Sequence, residues 1–161
     1  MFELKPIILS IFLFSVSVLP AHSDGLELPG EVTFGTALSD LQTTAETQGW
    51  GLRQTTFSSN AWSSDTEGVT FYFCDQVLSS VDQYLDGGLR TFVETVWKLE
   101  LEYGKAATKI FVLAPRSDLE MHGVGSVFEP SPGKSISVQL QTKNDTETVW
   151  TRKSDSNVCK D

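Results

Sequence analysis

The sequence predicts an α+β fold, a mainly antiparallel sheet with two helices packed on one face, in a single small domain. The stretch Val69 to Cys74 alternates apolar and polar side chains, which is typical of a half-buried strand. The stretch Leu89 to Tyr103 carries apolar residues at helical spacing. Short strand-like segments with turn residues between them follow this second helix, and that order favours helices layered on a sheet.

The first part of the chain is expected to contain one helix. Val32–Phe34 predicts a short strand, and Thr36 is the expected N-cap because its hydroxyl can accept a hydrogen bond from a free amide of the first turn. Gly49 predicts the end of the helix, since glycine adopts the left-handed conformation at little cost. The segment from Trp50 to Phe57 is extended in character.

A polar segment from Ser58 to Gly68 is expected to form a loop, because Ser, Asn and Asp favour turns and no periodicity is visible. Trp62 stands inside this segment and Phe57 precedes it. Tryptophan is enriched at binding hot spots, so these two residues, with the acidic Asp65 and Glu67, are the predicted partner-binding residues. Packing of Trp62 back onto the sheet is the more common outcome for such a residue.

The strand Val69–Cys74 places its phenylalanines on one face and Thr70, Tyr72 and Cys74 on the other. Two structures are open for the segment that follows it, up to Leu85. Its apolar residues fit a helix, but they also fit a strand that returns across a tight turn at Asp75-Gln76. We prefer the strand, because a helix here would run directly into the next one.

The clearest element is the helix near Leu89–Tyr103, which Gly104 is expected to end. Its predicted sheet-facing stripe consists of Leu89, Phe92, Val93, Val96 and Leu99. Later strands are predicted at Lys109–Ala114, Val124–Phe128, Ser135–Leu140 and Thr148–Arg152, with loops at Arg116–Gly123 and Glu129–Lys134 and a hairpin turn within Lys143–Glu147. No internal repeat is evident.

The N-terminus has the three parts of a secretory signal peptide. Lys5 supplies a positive charge, an uncharged apolar run extends from Ile7 to Leu19, and small residues surround an expected cleavage site after Ser23. The apolar run is shorter than the roughly 20 residues that a membrane-spanning helix needs. We therefore expect residues 1–23 to be removed, leaving residues 24–161 as one secreted or periplasmic domain without stable membrane insertion.

The chain is acidic, with a formal net charge of −9. Nucleic acids and anionic membranes repel such a surface, so they are not expected as partners. The expected partner is a protein or a small extracytoplasmic ligand. A basic partner, such as an enzyme that this protein would inhibit, is compatible with the charge.

Cysteine and histidine usage limits the chemistry that the mature chain could perform. Cys74 and Cys159 are an even pair behind an export signal, which predicts a disulfide. His122 is the one mature histidine, and a solvated loop is its expected position. Two cysteines and one histidine give no structural zinc pattern, so no metal site and no cofactor are expected.

These observations favour a non-catalytic binding or accessory module of the exported fraction, and no catalytic residue is assigned. The alternative is a small hydrolase that uses paired carboxylates. Its candidates are acids that stand two residues apart, namely Asp65 with Glu67, Glu100 with Glu102 and Asp145 with Glu147. Neighbours two apart on a helix do not face each other, and the remaining pairs are in expected turns.

Overall fold

The computed structural model describes residues 28–113 and 121–159, and the predicted α+β fold class is confirmed. The predicted signal peptide lies outside the described residues. The helices are α1 (Leu38–Gln48) and α2 (Leu89–Tyr103), and the strands are β1 (Arg53–Gln54), β2 (Ala61–Ser64), β3 (Val69–Cys74), β4 (Val77–Leu85), β5 (Ala107–Leu113), β6 (Met121–Ser131), β7 (Lys134–Lys143) and β8 (Thr146–Asp155).

The eight strands of the described residues form one antiparallel sheet with the order β1-β2-β3-β4-β8-β7-β6-β5. Each half of the chain is therefore a helix followed by a four-stranded meander, and the last strand of each half pairs with the other at the centre. From each edge of the sheet to its centre, the strands follow in chain order, β1 to β4 in the first half and β5 to β8 in the second. This arrangement is consistent with a pseudo-two-fold axis between β4 and β8. This repeat of architecture escaped the sequence analysis because the two halves share no evident sequence pattern.

Both helices lie on the same face of the sheet. α1 contributes Leu41 and Ala45 to one buried cluster, and α2 contributes Phe92 to a second. One cross-strand row joins the two clusters, since residues directly opposite each other share a face. It runs Phe71, Val81, Lys153, Ile136 and Phe128.

The start of the domain differs from the prediction. Val32–Phe34 is not a strand; a short 3-10 turn at Pro29–Glu31 precedes it instead. The helix begins one residue later than a Thr36 cap would place it, with Ala37 at the N-cap, while the Thr36 hydroxyl donates to the carbonyl of Thr33 at 2.8 Å. The predicted end is confirmed, since Gly49 caps α1 with φ of 72°.

The predicted loop at Ser58–Gly68 is wrong, because β2 lies inside it. Ala61–Ser64 pairs with β3 on one side and with β1 on the other. Ala61 and Ser64 are buried, and the Ser64 hydroxyl donates to the backbone carbonyl of Trp50 at 2.6 Å. A serine-rich strand can be stable here because its polar groups find partners inside the sheet and core.

The hairpin at Asp75-Gln76 is confirmed, and the segment after it is strand β4. Both turn residues have positive φ, 49° and 67°, as the mirror-image turn of a two-residue hairpin requires. Asn144 and Asp145 make the equivalent turn between β7 and β8, with φ of 48° and 58°. The predicted turn within Lys143–Glu147 is thus also confirmed.

The bounds of α2 are confirmed, but its predicted buried stripe is only partly right. Phe92 is buried and Val96 and Leu99 pack beside it, whereas Leu89 and Val93 are exposed. Val93 lies on the flank of the helix rather than over the sheet. The first amide of the helix, that of Leu89, donates to the Glu147 carboxylate at 2.8 Å. This contact is favourable because the N-terminus of a helix stabilises a negative charge.

The strands of the second half are longer than predicted. β6 begins at Met121, inside the predicted loop Arg116–Gly123, and the remainder of that loop from 116 to 120 lies outside the described residues. The predicted loop Glu129–Lys134 is only a tight turn at Pro132 and Gly133. Pairing with neighbouring strands extends these segments beyond their apolar centres.

Candidate binding surface

The face of the sheet opposite the helices carries an aromatic and polar surface in the described chain. The register of the four central strands puts Asp82 opposite Arg152, and Tyr84 opposite Trp150. Thr70, which is paired with Asp82, and Gln139, which is paired with Trp150, extend these rows into β3 and β7. The open face therefore draws on both halves of the chain.

Three side chains at the centre of this face hold one another in place. Arg152 donates to both carboxylate oxygens of Asp82, from Nε at 2.5 Å and from Nη2 at 2.6 Å. The Tyr72 hydroxyl donates to the same carboxylate at 3.0 Å, and the Arg152 guanidinium carbon lies 5.0 Å from the Tyr72 ring centroid. Bidentate ion pairing and cation–π contact fix both the position and the orientation of the arginine.

The same cluster changes the ionisation of two of its members. Burial raises the pKa of the Tyr72 phenol, and the negative charge and hydrogen bond of Asp82 raise it further. The hydrogen bonds to Asp82 raise the pKa of the Arg152 guanidinium. Both groups are therefore fully protonated across the physiological pH range, and the cluster is a fixed structure rather than a proton donor and acceptor pair.

An aromatic pair and an exposed loop residue complete the surface. The rings of Tyr84 and Trp150 meet edge to face with centroids 5.4 Å apart, a favourable geometry for aromatic pairs. Phe57 is 70 % exposed and lines a cavity of about 320 Å³ on this face. The other lining residues are Thr70, Tyr72, Asp82, Gln139, Gln141, Trp150 and Arg152.

The open face does not carry the acidic surplus of the chain. On the four central strands, Asp82 is the one acidic residue that the strand alternation places on this face, and its charge is neutralised by Arg152. Glu147, on β8, instead contacts the first turn of α2. Elsewhere, acidic residues stand on the helices and in turns, including Glu94 and Asp65.

The structure separates the four predicted partner-binding residues. Phe57 alone lines the open-face cavity. Trp62 is half-buried on the helix side of the sheet, where it packs against the first core cluster, so the premise of a tryptophan in a loop is wrong. Asp65 forms an exposed ion pair with Arg53, and Glu67 is exposed in the turn before β3. Partner binding by these residues stays a prediction.

Sequence reasoning missed Trp150, Arg152, Asp82 and Tyr84. Besides Phe57, the signal that pointed to this surface is the alternation in β3, which placed the aromatic Tyr72 on the more polar face. The pairing of Asp82 with Arg152 spans 70 residues and depends on the contact between the two halves. Local pattern gives no information on such a register.

Neither of two cavities in the described part of the chain holds a pair of carboxylates. The open-face cavity holds Asp82 as its one acid, and a second cavity of about 490 Å³ beside α1 holds Glu46 as its one acid. His122 is exposed on β6, not in a loop as expected, and lies in neither cavity. Residues 28–113 and 121–159 contain no group of three acidic, histidine or cysteine side chains placed to hold a metal.

Cys74 and Cys159 are not joined by a disulfide in the structure. Cys74 ends β3, and β8 runs in the same direction as β3 because each is antiparallel to β4. Cys159 follows the end of β8 by four residues, so both cysteines belong to one end of the sheet. The disulfide stays a prediction for the oxidised protein, and its formation would require the tail after Asp155 to turn across β4.

Comparison with protein-family models, curated proteins and solved structures finds no match to this chain. Among the described helices, none is long and apolar enough to cross a bilayer.

Proposed function

We propose that this chain is an exported, non-catalytic binding module that holds a protein partner on the open face of its sheet. The observation that carries the proposal is the combination of Tyr72, Tyr84, Trp150 and Arg152 on a face without a covering element in the described chain. Tryptophan, tyrosine and arginine are the residue types that dominate binding hot spots. Export rests on the predicted signal peptide.

Pre-organisation of the arginine supports this role. A side chain that is already fixed loses little rotamer entropy when a partner arrives, and such ordering otherwise costs about 0.5–1.5 kcal/mol for each flexible side chain. Arg152 is fixed by Asp82 and by the ring of Tyr72, and its side chain is still 49 % exposed. The exposed part of the guanidinium can meet an acceptor on the partner.

A protein surface fits this face better than a deeply enclosed small molecule. Small-ligand sites are concave pockets of about 300–1,000 Å³ that bury most of the ligand. The cavity here is at the low end of that range, at about 320 Å³, and polar side chains form much of its lining. It could receive one side chain of a partner, with Phe57 at its margin. Because the central face is close to neutral, a basic partner is not needed.

The experiment is affinity capture from the native extracytoplasmic fraction, with the mature protein as bait. Wild-type bait is compared with Trp150→Ala and Arg152→Ala, and captured proteins are quantified by mass spectrometry. Arg90→Ala is the matched control for Arg152→Ala, since Arg90 is an exposed arginine on α2, on the opposite side of the sheet. Circular dichroism verifies that each variant remains folded.

The expected result is at least one protein that wild type and the Arg90 control capture equally and both open-face variants lose by tenfold or more. Capture that survives both open-face substitutions would contradict the proposal. A hydrolytic activity of the wild-type protein that His122→Ala or a carboxylate substitution abolishes in a folded variant would favour the enzyme alternative instead.

A further inference from the structure

We propose that two copies of this chain associate through the outer edge of β5, with which no described strand pairs, joining their sheets into one antiparallel sheet across a two-fold axis. This association is separate from the open-face partner. The first observation is that β5 is an edge strand of seven residues, Ala107–Leu113, without proline and without a register shift against β6. A long, regular, apolar edge is a template for pairing with another strand.

The other half of the molecule provides an internal comparison. The equivalent edge strand in the first half is β1, which has only two residues, Arg53 and Gln54. Short, charged edges are a known protection against strand pairing. The two halves share one architecture, so the long edge at β5 is a property of the second half and not a requirement of the fold.

Exposed apolar residues follow the same asymmetry. Of the seven large apolar side chains exposed in the described residues, five belong to α2 and β5, while the other two, Phe57 and Tyr84, are in the first half. The five are Leu89, Val93, Trp97, Leu101 and Ile110. α1 presents no exposed large apolar side chain. The exposed apolar area is therefore concentrated on one helix and one strand.

The four helical members of this group are spaced four residues apart, so they form one row along α2. Phe92 and the other sheet-facing residues point about a quarter to a third of a turn away from that row, given 3.6 residues per turn. β4 and β5 run parallel, and connections of this kind are right-handed in about 98 % of cases. We therefore expect a right-handed connection from β4 through α2 to β5. In that arrangement the row of exposed residues on α2 faces towards β5.

A second copy is the partner that fits this edge, because the strand is self-complementary about Ile110. Ile110 is the central residue of β5 and is 84 % exposed. In an antiparallel pair centred there, Ile110 lies opposite Ile110 of the second copy, and Lys109 lies opposite Phe111. Like charges are thus not placed opposite each other, and the central pair is apolar.

Charge also permits self-association at this surface. The segment from Leu89 to Leu113 contains four basic and three acidic residues, whereas the whole chain has a net charge of −9. Two copies of an acidic protein repel each other over most of their surfaces. The segment from Leu89 to Leu113 does not carry this negative charge, so repulsion there is small, and an isologous contact at this place closes as a dimer.

The test is the mass of the purified mature protein in solution, measured by sedimentation velocity from low to high micromolar concentration. Wild type is expected to sediment as a dimer. Ile110→Arg and Trp97→Arg are expected to weaken the dimer by tenfold or more, and Phe57→Arg, a change at an equally exposed residue of the open face, is expected to leave it unchanged. Ile110 and Trp97 are exposed, so the variants should fold, and circular dichroism verifies this.

A cysteine scan tests the register. Ile110→Cys should give an intermolecular disulfide on oxidation, identified as a cross-linked peptide by mass spectrometry, because directly opposed residues approach within disulfide range. Thr108→Cys should not, since it lies opposite Val112 of the second copy. A wild-type protein that stays monomeric at all concentrations would overturn the proposal, even if β5 then pairs with a different protein. A dimer that both arginine variants leave intact would also overturn it.

Discussion

Replacing Phe92 with alanine should destabilise the domain by about 3–5 kcal/mol, the range for truncation of a buried phenylalanine. Phe92 is 7 % exposed and is the one fully buried residue of α2 in the second core cluster. The strand residues of that cluster, including Val138 and Val149, are completely buried, and such surroundings relax only partially around a cavity. The loss therefore contains both the transfer free energy of the ring and the cost of a cavity.

Val93→Ala is the matched control on the neighbouring residue. Val93 is 53 % exposed, so it loses little buried area, and alanine has the better helix propensity. Its expected effect is within about 0.5 kcal/mol, as for most exposed substitutions. Urea denaturation followed by circular dichroism measures both changes, at a protein concentration at which the midpoint does not depend on concentration. A Phe92→Ala effect below about 1 kcal/mol, or equal effects of both substitutions, would refute the assignment of the α2 core face.

Two further predictions concern the open face and the cysteines. The raised pKa of Tyr72 means that the folded protein holds the phenol proton more tightly than the unfolded chain does. The resulting contribution to stability is present below about pH 10 and is lost as the pH rises through the folded pKa. Tyr72→Phe should therefore flatten the alkaline decrease in the urea midpoint, and an unchanged decrease would contradict this. The oxidised mature protein should contain a disulfide between Cys74 and Cys159, seen by non-reducing mass spectrometry, and two alkylatable thiols after native export would contradict it.

The parts of the fold that sequence predicted are those with local signals. The bounds of α2, the glycine that ends α1 and the turn at Asp75-Gln76 were predicted, because helical periodicity, caps and two-residue turns are encoded by adjacent residues. β2 was not, since Ala61–Ser64 has no apolar alternation and becomes a strand only through its pairing with β1 and β3. The exposure of Val93 likewise depends on how α2 is placed over β6, β7 and β8, which helical periodicity alone does not specify.

The candidate surface was largely beyond prediction for the same reason. Asp82, Arg152, Tyr84 and Trp150 belong to strands that pair across the junction of the two halves. Their proximity follows from the β4–β8 register, which no local pattern specifies. The sequence did mark two aromatic residues as candidates. Phe57 lines the open-face cavity, whereas Trp62, the tryptophan in the most polar segment, packs on the other side of the sheet.

The most direct test of the account is the dissociation constant of a captured partner for Trp150→Ala compared with Trp62→Ala, measured by titration calorimetry with folded variants. Trp150 lies on the open face and Trp62 on the helix face, so the pair compares the same substitution on the two sides of the sheet. The account predicts that Trp150→Ala weakens binding by at least tenfold, which is about 1.4 kcal/mol, and that Trp62→Ala changes it by less than about threefold. A larger loss for Trp62→Ala than for Trp150→Ala would contradict the assignment of the binding surface to the open face.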